Sequence, residues 1–200
     1  MTGMAALTAV AAIGGCSNSA TREAASSPAS TSASQSAVDS PHNQADGMFA
    51  TMMIPHHQQA IEMSDIIVAK QGIDPRVVDL ATQIKAAQGP ETETMQGWLT
   101  AWGMGGMAGM PGMDHGDMGG VGGMDGMMSP AEMDALKNAQ GVDAAKLFLT
   151  GMIKHHQSAI TMSQDEIKNG KNPDALALAA SIIESQQKEI DTMNQILGTL

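Results

Sequence analysis

From about residue 46 the apolar positions return with a helical period. Phe49, Met53, His56, Ala60, Met63 and Ile67 step by four, three, four, three and four, the spacing of a stripe that a helix turns toward a core. Gly72 is placed to stop that helix, and Asp74-Pro75 reads as N-cap and first turn of the next. On the second helix Leu80, Ile84, Glu91, Met95 and Trp98 share one face.

The plan then repeats. Phe49 to Ser64 returns as Phe148 to Ser163 at an offset of 99, with eleven identical positions. At an offset of 98, Gly72, Pro75, Leu80, Ala81, Ile84, Gln88, Glu91, Thr94, Met95 and Leu99 return as Gly170, Pro173, Leu178, Ala179, Ile182, Gln186, Glu189, Thr192, Met193 and Leu197. Gly170 is the second stop and Asn172-Pro173 the second start. Ser129-Pro130-Ala131-Glu132 has the capping-box pattern and predicts a short extra helix, with Gly141 and Asp143 opening the next long one. Two helical hairpins, each apolar on one side, bury those sides economically against each other. The predicted fold is all-α: a four-helix bundle of two duplicated hairpins, 46–102 and 129–200, with an insert at 103–128.

Each seam carries chemistry. With the first turn near residue 73, antiparallel pairing sets His56 opposite the region of Glu91 and Met53 opposite that of Met95. In the second hairpin His155 falls opposite Glu189 and Met152 opposite Met193. Adjacent helical residues diverge by about 100°, so in His56-His57 and His155-His156 one ring is expected inward and the other toward the flank. A buried His facing a Glu is also what a satisfied polar pair looks like, and a seam Met such as Met63 also fills gaps in a core. The duplicated His-His-Gln goes further, since polar core groups cost stability unless used. Pro55 and Gly89-Pro90 are expected to kink the first hairpin, where the second has Lys154 and Gln187-Lys188. The two halves then need not be equivalent, and the kinked one is expected to be more open to an incoming ion.

Composition sharpens this reading. Aromatic residues are 2% of the chain, which weighs against a sandwich or barrel. A net charge of -11 argues against a nucleic-acid partner. The 200 residues include 19 Met, 22 Gly and one Cys. Eight of the Met lie in the insert: Met104, Met107, Met110, Met113, Met118, Met124, Met127 and Met128. So much Gly forbids a stable helix there, and the segment is expected to be flexible and outside the core. Thioether is a soft neutral ligand that favours Cu(I), and Ag(I) by the same logic, over hard divalent ions. It needs no deprotonation, and it replaces thiolate where cysteine would oxidise. Met113-Asp114-His115-Gly116-Asp117-Met118 adds an imidazole and two carboxylates, a mixed set suited also to Cu(II).

The N-terminal residues read as an address. Met1 to Ile13 is small and apolar, too short to span a bilayer, and leads through Gly14-Gly15 to Cys16. This pattern resembles a bacterial lipobox with Cys16 as the lipidated residue, although no Lys or Arg precedes the apolar run. A Ser- and Ala-rich stretch, 17–45, is expected to be a disordered tether to the membrane face.

Met53-Ile54-Pro55-His56-His57-Gln58-Gln59-Ala60-Ile61-Glu62-Met63 and Met152-Ile153-Lys154-His155-His156-Gln157-Ser158-Ala159-Ile160-Thr161-Met162 resemble the family called domain of unknown function 305, which includes CopM-like copper-binding proteins. The resemblance implies a ferritin-like four-helix bundle, an extracytoplasmic location and Cu(I)/Ag(I) binding by Met and His. Carried onto this chain, it points to Met53, His56, His57 and Met63 with Met152, His155, His156 and Met162. The full candidate set adds Glu91, Met95, Glu189, Met193, the insert methionines and His115.

The expected function is a lipid-anchored protein that sequesters or carries Cu(I), working with an unidentified donor or acceptor and catalysing no reaction. A ferritin-like di-metal oxidase would want Glu-x-x-His on two helices, whereas the inward Glu91 and Glu189 are followed four residues later by Met95 and Met193. An envelope interaction module using Met as adaptable apolar surface is the third reading.

Overall fold

A computed structural model describes residues 41–104 and 125–200. The described residues form α1 (Gln44–Val68), α2 (Pro75–Ala101), the short α3 (Pro130–Asn138), α4 (Gly141–Asn169) and α5 (Pro173–Leu197). The caps are those the sequence announces. Asp74 and Asn172 cap α2 and α5 ahead of Pro75 and Pro173, and Ser129 with Glu132 closes a capping box on α3.

Some boundaries differ from expectation. Residues 41–45, assigned from sequence to the tether, belong to the folded part. Asn43 caps α1 and forms a capping box with Asp46, so a helix begins two residues before 46. Gly72 does not end α1. The helix stops at Val68 with Ala69 as its C-cap, and Gly72 makes the turn beyond at φ 72°, a conformation glycine adopts without steric cost. Pro55 and Pro90 each lie inside one continuous helix. The Cys16 address and tether residues 17–40 lie outside the described residues.

Contacts fix the topology. α1 pairs with α2 and α4 pairs with α5. Asn43 Nδ2 donates to the Asn169 carbonyl at 2.8 Å, so the start of α1 lies beside the end of α4 and these helices are antiparallel. Arg76 donates to Thr199 Oγ1 at 2.8 Å, which sets α2 antiparallel to α5. The four long helices thus form a ring in which every neighbour runs in the opposite direction. Diagonal partners α2 and α4 run the same way, so the end of α2 and the start of α4 lie at opposite ends of the bundle, the connection pattern of a ferritin-like fold. At the other end Lys70 Nζ donates to the carbonyls of Lys137 and Ala139 at 2.7 and 2.8 Å, tying α1 to the α3–α4 junction. No described helix is long and apolar enough to cross a membrane.

The core divides into two apolar clusters. One gathers Phe49, Met53, Met95, Trp98, Met162 and Ile182. The other gathers Met63, Ile67, Phe148, Leu149, Met152 and Met193 with residues of α3. The duplication relates them: Phe49, Met53, Met95 and Met162 in one stand where Phe148, Met152, Met193 and Met63 stand in the other.

The insert was expected to stay out of the core, and its ends do not. Met128 is 9% exposed and belongs to the second cluster. Gln59 clasps its backbone, donating from Nε2 to the Met128 carbonyl at 2.9 Å and accepting the Met128 N–H at 2.7 Å. Met104 packs against the first cluster with its sulfur over Gly47, where a Cβ would collide with it. A Met flanking a helical segment adapts to whatever gap it meets, and here an aliphatic wall lies within reach.

Candidate metal centre

The seam of α1 delivers His56 and His57 to the middle of the bundle, and that of α4 delivers His155 and His156. All four are fully buried. Antiparallel crossing brings His56 and His155 together with ring centroids 3.6 Å apart and planes tilted by 37°. The neighbouring ring of each pair turns away, as the 100° step requires. His57 Nε2 meets Glu91 Oε2 on α2 at 2.8 Å, and His156 Nε2 meets Glu189 Oε2 on α5 at 2.6 Å.

This corrects the facing read from sequence. Glu91 and Glu189 pair with His57 and His156, and not with His56 and His155. The flank of α1 is the side that meets α2, so the flanking imidazole reaches the Glu. The inward one meets its counterpart across the two hairpins. Met53 with Met95, and Met152 with Met193, do share a cluster.

The electrostatics favour neutral rings at the centre. Burial, reinforced by His57 and His156, pushes His56 down to about 3. Burial and the neighbouring imidazoles hold His155 well below the ordinary histidine range. A neutral imidazole has a lone pair to offer a soft cation. At the flanks a carboxylate can only accept, so Nε2 of His57 and of His156 donates to it, and Nδ1 of each ring is the nitrogen left without a partner. A metal-ligating imidazole is commonly held in this way, by a carboxylate on its other nitrogen. The geometry makes Glu91 and Glu189 positioning groups.

None of the inward nitrogens has a protein partner: both of His56, both of His155, and Nδ1 of His57 and His156. Leaving buried polar atoms unpaired costs about 1–3 kcal/mol each, so two wholly unpaired imidazoles beside two half-paired ones are expensive as mere structure. Among the described residues no three His, Cys, Asp or Glu side chains converge as a metal site on their own. Six thioethers lie in the two apolar clusters of the same seams, Met53, Met95 and Met162 in one and Met63, Met152 and Met193 in the other.

The structure separates the remaining candidates. Met104 and Met127 are half-buried and Met128 is buried, while Met107, Met110, Met113, His115, Met118 and Met124 lie outside the described residues. Sequence reasoning missed the exchange of Met63 and Met162 between hairpins, because spacing along one chain says nothing of which hairpin a seam residue meets. It also passed over Gln88 and Gln186, buried on the seams of α2 and α5. Their signal was present: a polar residue returning at seam spacing in both repeats.

Comparison with known proteins agrees with this architecture. A DUF305 protein from Deinococcus radiodurans superposes with a TM-score of 0.68 at 30% identity, covering 80% of this chain and 99% of that one. A DUF305 protein from Streptomyces coelicolor, described as secreted, gives 0.67 at 31% over 78% and 93%. CopM in its Cu(I)-bound form gives 0.61 at 30% over 77% and 96%, and CopM is also known in Cu(II)-bound, Ag-bound and apo forms. Uncharacterized protein L153 of Acanthamoeba polyphaga mimivirus is 52% identical over 52 residues, 26% of this chain; the match spans 34% of that relative. The domain of unknown function DUF305 matches residues 46–197, and the chain belongs to that family.

Proposed function

We propose that this protein binds Cu(I), and Ag(I) by the same chemistry, through thioether and imidazole donors, and that it sequesters or carries the ion without catalysing a reaction. The observation that carries this reading is the close, tilted His56–His155 pair, neutral, buried and without hydrogen-bond partners in the protein, on seams that also carry two methionine clusters. The Cu(I)-, Cu(II)- and Ag-bound forms of CopM, a structural neighbour, support the choice of ion. The residues proposed to hold it are His56, His57, His155 and His156 with Met53, Met63, Met95, Met152, Met162 and Met193, while Glu91 and Glu189 orient the flanking rings. Uptake is assigned to the insert methionines and His115, with Cu(II) a further guest of the mixed segment 113–118. The Cys16 pattern, together with the description of the Streptomyces relative as secreted, supports an extracytoplasmic place, anchored by lipid at a membrane face, where a donor or acceptor protein would be met.

The test is anaerobic Cu(I) titration against a calibrated chelator, comparing the wild type with His56→Leu/His155→Leu. Removing unpaired buried polar atoms leaves the metal-free fold at least as stable, so loss of tight Cu(I) binding without loss of stability supports the proposal. Unchanged Cu(I) affinity in a folded variant overturns it.

A further inference from the structure

Two more buried polar groups sit on the bundle seams. Gln88 lies between Ile84 and Met95 on α2, and Gln186 lies between Ile182 and Ile190 on α5; both are 2% exposed. Neither amide atom of Gln88 has a protein partner, and neither does Gln186 Oε1. An apolar residue would fill each place at less cost, as Ile84 and Ile182 do one turn away.

Their register is informative. Arg76 bonds Thr199 across the α2–α5 boundary. Gln88 is twelve residues along α2 from Arg76, and Gln186 is thirteen back along α5 from Thr199, so the two amides come level. They are also equivalent positions of the duplication, as His56 and His155 are. Equivalent residues that stand level on helices related by a pseudo-twofold straddle its axis. The glutamine pair and the histidine pair therefore lie on one axis, a helix spacing of about 8–10 Å apart. α2 and α5 are the most loosely packed neighbours of the ring. A groove of about 530 Å³ opens between them toward the Arg76–Thr199 contact, its lining including Arg76, Asp79 and Gln83 on α2 and Lys188, Glu189 and Thr192 on α5; the two buried glutamines lie outside that lining. Gln186 is one turn from Glu189.

We infer that Gln88 and Gln186 line a neutral polar passage by which a monovalent soft cation moves between the α2–α5 groove and the imidazoles of His56 and His155; this rests on the proposed function. Amide oxygens offset part of the cation's dehydration as it leaves water. Being uncharged and hard, they do not hold a soft ion as thioether does. The side chains are thus positioning residues for transfer, and the ligands lie beyond them.

The experiment follows loading in stopped flow, using the full chain and Cu(I) released anaerobically from a chelator, with Ag(I) as a second probe. Gln88→Leu/Gln186→Leu is compared with Gln88→Asn/Gln186→Asn, which keeps the amides. The expected result is loading slowed about tenfold in the Leu variant at nearly unchanged equilibrium affinity, a rise in barrier of one decade, with the rate largely restored by Asn. Loading of the Leu variant at the wild-type rate overturns the passage. So does a loss of affinity at unchanged rate, which would make the amides ligands. Should the double Leu variant fail to fold, each single variant carries the same comparison. A wild type that binds neither Cu(I) nor Ag(I) removes the proposed function and the passage together, whereas tight wild-type binding with no rate effect removes the passage alone.

Discussion

A histidine that donates from Nε2 to a glutamate is worth most when neither can turn to water. His156 is fully buried and the Glu189 side chain is 19% exposed, so the pair is anchored inside and wetted only from the carboxylate. Glu189→Leu would leave the His156 N–H buried without an acceptor. The expected cost is about 1–3 kcal/mol of folding stability and about 10–100-fold in Cu(I) affinity, the usual loss when a ligand's orienting partner goes. Denaturant unfolding and chelator competition measure the two effects separately, and Glu91→Leu should repeat both on His57. A stability loss without an affinity loss would mean that the flanking histidines are structural. The methionines need a gentler substitution. Met→Ala in a core costs about 2–5 kcal/mol whatever the sulfur does. Met→Leu conserves volume and usually costs under about 1.5 kcal/mol, so Met53→Leu/Met152→Leu isolates the thioether. Cu(I) affinity should fall while the melting temperature barely moves.

At the level of helices, the sequence announced most starts and mislaid some stops. Asp74, Ser129 and Asn172 are side-chain caps, and a cap is a local hydrogen bond that needs no tertiary partner. The end of α1 and the entry of Asn43 into the fold depend on what lies opposite, which no local pattern records. The facing of the histidines failed by one residue for the same reason: hairpin register can be read to a few residues, and on a helix one residue turns a side chain by about 100°. Nor did the pattern reveal how α1 is fastened to the α4–α5 turn. There Asp46 is fully buried and its Oδ1 accepts the Lys171 and Asn172 N–H groups at 2.8 Å each. Glu166, 2% exposed, lies against it. Gly170 leaves room for that carboxyl, since a Cβ there would collide with it. Burial, with Asp46 alongside, pushes Glu166 up to about 8, the value of a carboxyl that holds its proton next to a carboxylate. Asp165, Lys168, Lys171 and Asp174 are exposed at this junction, and of the ionisable side chains only Asp46 acts on Glu166. The folded state keeps this proton where the unfolded chain has released it, so the contribution is fully present below about 4.5. It is lost as the pH rises toward about 8. Below about 6.5 the buried neutral His56 and His155 act in the opposite sense, since the unfolded chain takes up protons that the fold excludes. Between about 6.5 and 8, where they are neutral in both states, denaturation midpoints should fall with rising pH in the wild type and flatten in Glu166→Gln, which retains a donor for Asp46. A parallel decline in both proteins would place the pH dependence elsewhere.

For the molecule as a whole, the arrangement poses the question of how a methionine-rich insert anchored at both ends can serve a centre inside the bundle. The connection pattern answers part of it. Because α2 and α4 run the same way, the end of α2 and the start of α4 lie at opposite ends of the bundle, and the connection between them is fixed at both ends. Met104 lies over Gly47, and Met128 is clasped by Gln59. Twelve residues of α1 separate these anchors, about 18 Å of helix. With 105–124 excised, the four steps from Met104 to Met128 span at most about 14 Å, so simple excision would pull the anchors from their sites and confuse lost folding with lost binding. The informative variant replaces 105–124 by a Gly/Ser segment of equal length. It removes Met107, Met110, Met113, Met118, Met124 and His115 while leaving Met104 and Met128 on the bundle. If the insert captures ions and the core holds them, this variant should keep its helical circular dichroism and its tightest Cu(I) site. It should lose the weaker equivalents from an anaerobic titration and load more slowly at limiting Cu(I). Full stoichiometry at the wild-type rate would assign capture to the bundle alone and leave the insert as the connection that the topology demands.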